Sequence, residues 1–481
     1  MNVKWKRIIV VIIVLLLCLC SNSDNILIFK QGISIAQASV IQDKSFGDLK
    51  LNANSVLLME QGSGKVLETK NANLRMFPAS TTKMMTAIVA LEHVNLSEKV
   101  KVGDEIRSIP KNASIAGLLQ NEEYTMKELL TGLLLPSGND AAYVIASYIG
   151  RKTLNQKNSS SKEAVKAFVT LMNKKATEIG CQDTHFSNPD GYHEVNHYTT
   201  ANDLALIARK ALENETFRNT VGLYYYQPQG KIQASVAPVI KSNKSDKKSV
   251  ESLKPVLPIW TNTNLLLDKN DPKYYDPDVT GVKTGYTSQA GYCLVAAGTR
   301  NGLHLITVIL HSTQVGRWND TSTVLDYGFE KYQVFSLLKK GQFVTELSIE
   351  NGTKGQQEKL NAISSLDFTA VLSKQQGERI LKKIQWDEKL FESTSQQQQV
   401  NGILSTIHKG QVLGKVTFFL DDRVLTSADL IAATAIQKKI ELFPSIQNEA
   451  PSFFAKNWLM LLMIGTIVFI FLIGFMRRKK H

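Results

Sequence analysis

The hexapeptide Pro78-Ala79-Ser80-Thr81-Thr82-Lys83 runs straight into the apolar stretch Met84-Met85-Thr86-Ala87-Ile88-Val89-Ala90-Leu91. Pro78 ahead of a helical pattern is a start signal, which places Ser80 in the first turn and Lys83, three residues on, on the same face. A hydroxyl and an amine are thereby held side by side. Neither reacts at neutral pH in water, because a serine hydroxyl is a weak nucleophile and a lysine amine is protonated. Burial behind Met84 and Met85, with a second cation nearby, would lower the lysine pKa and free the amine to act as a base. The helix N-terminus also aims unpaired backbone N–H groups at any oxyanion formed beside Ser80.

With 481 residues, 43% of them hydrophobic and 21% charged, the chain is globular and long enough for two or three domains. Its ends differ from the rest. Lys4, Lys6 and Arg7 precede the apolar run Ile8 to Cys20, and Ala36-Gln37-Ala38 follows, the pattern of a signal peptide (residues 1–38) cleaved after Ala38. An uncleaved N-terminal anchor is the alternative, given the spacer Ser21 to Gln37. Trp458 to Met476 holds 19 uncharged residues, enough to cross a hydrocarbon core of about 30 Å as a transmembrane helix. The basic tail, residues 477–481, begins with Arg477-Arg478-Lys479-Lys480 and stays cytoplasmic by the positive-inside rule. The expectation is a single-pass protein of the cell membrane with its catalytic part on the extracytoplasmic side.

The formal net charge is +13, but with both ends set aside 48 basic and 42 acidic side chains remain, a net +6. That is mild for an ectodomain of this size, and no interleaving of basic and aromatic residues points to nucleic acid. Cys18 and Cys20 fall in the signal segment, preceded by bulky leucines that do not suit lipid attachment. Cys181 and Cys293 could pair in an oxidising compartment, although the strand-like setting of Cys293 favours two buried thiols. No spacing suggests a metal site and no motif calls for a cofactor.

Along the chain, Asn54 to Met59 and Lys65 to Glu68 flank Gly62-Ser63-Gly64 and predict a hairpin. Gly-Ser-Gly-Lys lacks the spacing and following helix of a phosphate loop. Helical patterns cover Ser80 to Val94, Met126 to Leu135, Asp140 to Ile149 and residues 161–180, with Gly180 as the stop; another opens at Thr200. Between them, Asp183 to Tyr198 is a loop in which His193 and His197 serve loop-ordering hydrogen bonds. Residues 228–256, rich in Lys and Ser, form a surface insertion. Strands return at Val279 to Thr284, Tyr292 to Gly298 and Leu303 to His311, so residues 39–330 form one domain with a mixed sheet and a helical cluster. Short alternating runs over 331–425 predict a small all-β domain, and 426–457 a linking stem.

Two further clusters matter. Ser137-Gly138-Asn139 lies in the break between two helices, where a hydroxyl and a carboxamide can face a cleft. Lys283-Thr284-Gly285 lies in a strand whose glycine lets a substrate backbone approach its edge. In the order Ser-x-x-Lys, Ser-x-Asn, Lys-Thr-Gly the three clusters carry a strong signal. The chain here resembles the serine-type D-alanyl-D-alanine carboxypeptidases, the low-molecular-mass penicillin-binding proteins. Phe77 to Thr86, Thr184 to Gly191 and Val282 to Leu294 look like that family's blocks, and Lys409 to Gly414 looks like its C-terminal module.

The resemblance implies an α/β fold of the serine β-lactamase and transpeptidase type. It implies Ser80 as the nucleophile on a cell-wall stem peptide ending in D-Ala-D-Ala and Lys83 as its base. Ser137 and Lys283 would relay a proton to the leaving amine, while Asn139 orients the substrate amide. Backbone N–H groups of Ser80 and Tyr286 would form the oxyanion hole, and Thr284, next to Gly285, would grip the terminal carboxylate together with Arg317. β-Lactam antibiotics would trap Ser80. A class A β-lactamase would carry Glu-x-x-Leu-Asn some way past the middle cluster, which is absent, and a non-catalytic wall-binding protein would not be expected to keep Ser80, Lys83, Asn139 and Lys283.

Overall fold

The computed structural model describes residues 46–228, 259–350, 357–391, 399–400, 402–438 and Thr466. The signal segment, the insertion beyond Pro228, and the apolar segment with its basic tail, Thr466 apart, lie outside the described residues. Among those residues no helix is long and apolar enough to cross a membrane.

The first unit runs to Gly328 and is built on a five-stranded sheet. Its strands are β1 (Ser55–Glu60), β2 (Val66–Lys70), β3 (Val279–Thr287), β4 (Gly291–Arg300) and β5 (Leu303–Ser312), in the spatial order β2-β1-β5-β4-β3. Every pairing is antiparallel, with Leu57 opposite Val308 and Lys283 opposite Val295. The expected mixed sheet is therefore corrected. The strands β1 and β2, β3 and β4, and β4 and β5 are joined by tight turns, and a tight turn can only reverse the chain. Strand β3 ends this order and so has one edge without a strand partner among the described residues.

Both faces of the sheet are covered, which explains why β4 and β5 read as continuous apolar runs instead of alternating ones. Leu57, Met59, Val295, Ile306 and Val308 join a core with helices α1 (Lys83–His93), α2 (Met126–Leu134), α3 (Asn139–Leu154), α4 (Ser161–Ile179) and α5 (Ala201–Leu212). Every residue of α1 from Lys83 to Ala90 is buried and only Glu92 and His93 at its end are exposed, so this helix is the centre of the cluster. Capping boxes start α2 (Thr125 with Glu128) and α4 (Ser160 with Glu163), and Gly180 ends α4 at φ +97°.

Two α-helices of this unit were not expected, the short helix α6 (Glu215–Val221) and helix α7 (Gly316–Lys331). Helix α7 seals the second face of the sheet, where a Cβ on Gly328 would meet Leu305 and Leu58 within 3 Å. Its buried Asp320 accepts from the backbone N–H of Asn52 and Ala53 and from the Ser312 hydroxyl, at 2.9 to 3.0 Å, and so fixes the entry of β1.

The second unit begins at Phe329. Strands β6 (Tyr332–Leu338), β7 (Phe343–Glu350), β8 (Gln357–Ser364), β9 (Phe368–Ser373), β10 (Ile380–Trp386), β11 (Gln399–Val400), β12 (Val412–Leu420) and β13 (Arg423–Ala432) form a two-stranded ribbon, β6 with β9, and a six-stranded sheet ordered β10-β12-β13-β8-β7-β11. Here the reading that placed a stem from residue 426 is corrected. Strand β13 crosses that position, Ala428, Leu430 and Ala432 face the domain core, and Ile436 still pairs with Ile407. Two alanines on the buried side weaken the alternation that marks a strand.

Candidate active site

Ser80 lies on a short 3-10 turn, Ala79–Thr82, immediately before α1. Ala79 adopts φ +48°, a conformation a non-glycine residue holds only where its surroundings impose it. Lys83, the first residue of α1, is fully buried, and its Nζ donates to Ser80 Oγ (2.8 Å), to Asn139 Oδ1 (2.7 Å) and to the Asp190 carbonyl (2.8 Å). Burial pushes this amine down to about 8, against the nearby Asp190 and Asp140 charges that favour its cation. Three acceptors match the three N–H bonds of an ammonium. Once Lys83 is neutral, two N–H bonds satisfy Asn139 and Asp190, which are acceptors only, and the lone pair is left for the Ser80 hydroxyl. Two fixed carbonyls thus aim the base at its nucleophile.

Asn139 opens α3, one wall of the cleft. Ser137 precedes it at φ +63°, its hydroxyl buried and without a hydrogen-bond partner among the described residues. The loop around Asn112 and Ser114 is tied to this wall. Ser114 donates to the Ser137 carbonyl (2.7 Å), and the Asp140 carboxylate takes the N–H groups of Ala116, Gly117 and Leu118 at 2.8 to 2.9 Å.

The opposite wall is β3. Its Gly285 passes so close to the nucleophile turn that a Cβ would stand 2.9 Å from the Pro78 carbonyl and 3.2 Å from Ser80 N. Thr284 shares a 2.5 Å hydrogen bond with Thr263, and Tyr286 stacks on Tyr292. Lys283 is buried behind this wall, with Nζ donating to the Thr284 carbonyl (3.1 Å). Its amine is held well below the ordinary lysine range, first by burial and then by the Lys83 and Arg317 cations. Arg317, at the start of α7, lies over the Tyr292 and Trp318 rings at 4.8 and 4.1 Å; its Nε has no hydrogen-bond partner among the described residues.

These walls enclose a cavity of about 590 Å³. Of the nine site residues expected from the sequence, Ser80, Ser137, Asn139, Thr284, Gly285, Tyr286 and Arg317 line it, while Lys83 and Lys283 stand behind the lining. The sequence reading missed Asn112, Ser114, Tyr192 and Thr263, which line the cavity too; His193, expected only to order the loop, also lines it, with its Nδ1 buried and without a hydrogen-bond partner among the described residues. No local pattern marks them.

The loop between α4 and α5 closes the floor. His197 is buried, accepts the Ser187 N–H on Nδ1 (3.1 Å), and so in its neutral form carries a proton on Nε2 for Thr82 Oγ1 (2.8 Å). Burial holds its pKa down to about 3, so it remains neutral. This is the loop-ordering role expected of it. Cys181 and Cys293 are both free thiols, and burial pushes the Cys293 thiol up to about 11.

Gly191, at φ +81°, presses on the nucleophile turn, where a Cβ would fall 1.8 Å from the Ala79 carbonyl oxygen. Gly191→Ala should therefore cost about 3 kcal/mol of stability, by left-handed strain plus overpacking. Urea unfolding reads this directly, and a loss below about 1 kcal/mol would mean that the loop does not abut Ala79.

A model of the D-alanyl-D-alanine carboxypeptidase family matches residues 41–314, and one of the penicillin-binding protein 5 C-terminal domain matches residues 332–438. The D-alanyl-D-alanine carboxypeptidase DacF of Bacillus subtilis (strain 168) is 32% identical over 401 residues, spanning 82% of this chain and 88% of that protein. DacA of Escherichia coli (strain K12), also a D-alanyl-D-alanine carboxypeptidase, is 26% identical over 416 residues, 84% of this chain and 89% of its own length. Among solved structures, penicillin-binding protein 5 from Haemophilus influenzae gives a TM-score of 0.54 at 26% identity, covering 81% of this chain and 99% of that one. The Streptomyces K15 DD-transpeptidase gives 0.50 at 35% identity, covering 58% and 98%. Because the family match spans more than half of the chain, including the domain that holds Ser80 and Lys83, this protein belongs to the D-alanyl-D-alanine carboxypeptidase family of serine peptidases.

Proposed function

We propose that the cleft removes the terminal D-alanine from peptidoglycan stem peptides ending in D-Ala-D-Ala, and that β-lactams acylate the same serine. The observation that carries this reading is the 2.8 Å hydrogen bond between Ser80 Oγ and a buried, pKa-depressed Lys83 in a cleft walled by the terminal strand β3. Ser80 Oγ attacks the carbonyl carbon of the penultimate D-alanine and its proton passes to Lys83 Nζ. Backbone N–H groups of Ser80 and Tyr286 receive the developing oxyanion. The C–N bond then breaks, a proton relayed by Ser137 and Lys283 reaches the leaving amine, and free D-alanine departs. Water attacks the acyl ester in the same geometry, releasing the shortened peptide and restoring Ser80.

Asn139 holds Lys83 through Oδ1, leaving its Nδ2 to donate to the substrate amide. Thr284 and Arg317 take the terminal carboxylate, which accounts for a cation at the cleft wall with no acidic partner in the cavity lining. The peptide backbone lies along the free edge of β3 as an added strand. The uncharged run Trp458 to Met476 with its basic tail supports anchoring by a single span, with the catalytic unit outside the cell.

Supplying one preparation of the full chain with a D-Ala-D-Ala peptide and, separately, a penicillin tests the reaction class. D-Alanine release with at most slow penicillin turnover is the expected result. Fast penicillin hydrolysis without D-alanine release would assign a β-lactamase activity instead.

A further inference from the structure

The carboxyl of Asp190 is used by no step described so far, yet it sits directly behind the base. Its backbone carbonyl accepts the third N–H of Lys83 (2.8 Å). The side chain is 1% exposed; Oδ1 accepts one long hydrogen bond from Tyr192 N–H (3.2 Å), and Oδ2 is buried with no partner among the described residues. Asp140, its neighbour across Lys83, provides the contrast. Both Asp140 oxygens are saturated by backbone N–H groups, which is how a structural carboxylate is held. A buried carboxyl with a single weak donor is costly unless a charge compensates it. Burial pushes the Asp190 carboxyl up, and the charge that opposes this is Lys83, which favours the Asp190 anion as Asp190 favours the Lys83 cation.

We propose that Asp190 is a positioning residue for the acylation step, supplying the counter-charge for Lys83 as the lysine takes the Ser80 proton. The inference rests on Lys83 being the base for Ser80. When the Ser80 O–H bond breaks and the Oγ–carbon bond forms, a full ammonium appears on a buried side chain already facing the Lys283 amine. Asp190 stabilises that ammonium much as the triad aspartate stabilises an imidazolium, without itself taking the proton. The other ionisable groups facing this pair are Asp140 and the Tyr143 hydroxyl from α3, His197 and Glu194 from the loop, and Lys283 from β3. Only Asp190 combines an unsatisfied oxygen with a direct backbone link to Nζ. The loop cannot shift to relieve it, because Thr86 holds the Pro189 carbonyl (2.5 Å) and Gly191 is wedged on Ala79.

The test is the pH dependence of penicillin acylation in the full chain carrying Asp190→Asn, which keeps an acceptor for Tyr192 N–H and removes the charge. Losing the anion disfavours the ammonium, so the acid limb should move toward lower pH by about one unit. The weaker base should also lower the plateau rate about tenfold. Rates are scaled to the sites that titrate with β-lactam, so only folded protein is counted. Asp190→Ser, which can also accept the Tyr192 N–H, is measured beside it in case the amide variant does not fold. An acid limb left in place, or displaced upward, in either folded variant overturns the proposal even if the plateau falls, because a purely structural role lowers rate without moving the limb. Failure of the unsubstituted protein to acylate at all would remove the base assignment itself, a different outcome from failure of Asp190 alone.

Discussion

Ser80→Ala should release no measurable D-alanine, a fall of about 10⁶-fold in kcat, while unfolding at the same urea concentration as the parent. The size follows from what the hydroxyl does. It is the atom that becomes covalently bound, so no neighbouring group can substitute for it, and the remaining cleft offers only binding and oxyanion stabilisation. The fold should not notice. Ser80 is half-buried, and its hydroxyl's partner, Lys83 Nζ, retains Asn139 Oδ1 and the Asp190 carbonyl as acceptors. Residual turnover at parental rate would place the nucleophile elsewhere.

Lys83→Met is the second large effect, an expected loss of about 10⁴-fold in acylation by both peptide and penicillin. Methionine matches the length and burial of the lysine stem but lacks the base and its hydrogen bonds to Asn139 and the Asp190 carbonyl. The sign of the pH dependence follows from the same group. Lys83 acts when neutral, and with its amine pushed down to about 8 the parental acylation rate should rise with pH through that value and level off above it. Stopped-flow acylation across this range should show the limb in the parent and none in the residual activity of Lys83→Met. A parental limb near the ordinary lysine value would mean that the amine is solvated and the site open.

How much of this was legible in the chain depends on whether the determinant was local. Ser80 and Lys83 are three residues apart on one turn, so their juxtaposition follows from helix geometry alone, and Pro78 marks the start. The burial that makes Lys83 a base was equally readable, because Met84 to Ala90 offers no polar face. Thr284 and Arg317, in contrast, come to the cavity from β3 and the start of α7, and only the order of motifs suggested their neighbourhood. Asp190 and Gly191 were visible as residues of a family-like block, but their work is tertiary: a loop docked against a turn more than a hundred residues earlier.

Helix α7 went unrecognised because its buried stripe includes Gly316, Asp320, Thr321 and Gly328 beside Trp318, Val324 and Leu325. Small and polar residues at core positions erase the period that marks a helix. The antiparallel sheet was missed for a different reason. The strand patterns were right, yet pairing direction depends on connections, and the long excursion from β2 to β3 through the helical cluster conceals the fact that every other connection is a tight turn.

The central claim, that remote segments converge to make one hydroxyl reactive, is tested most directly by locating the covalent bond. Protein held briefly with penicillin, denatured, digested and sequenced by mass spectrometry should carry one adduct, on Ser80, and Lys83→Met treated identically should carry almost none. An adduct on any other residue, or an equally fast adduct on Ser80 in Lys83→Met, would contradict the account.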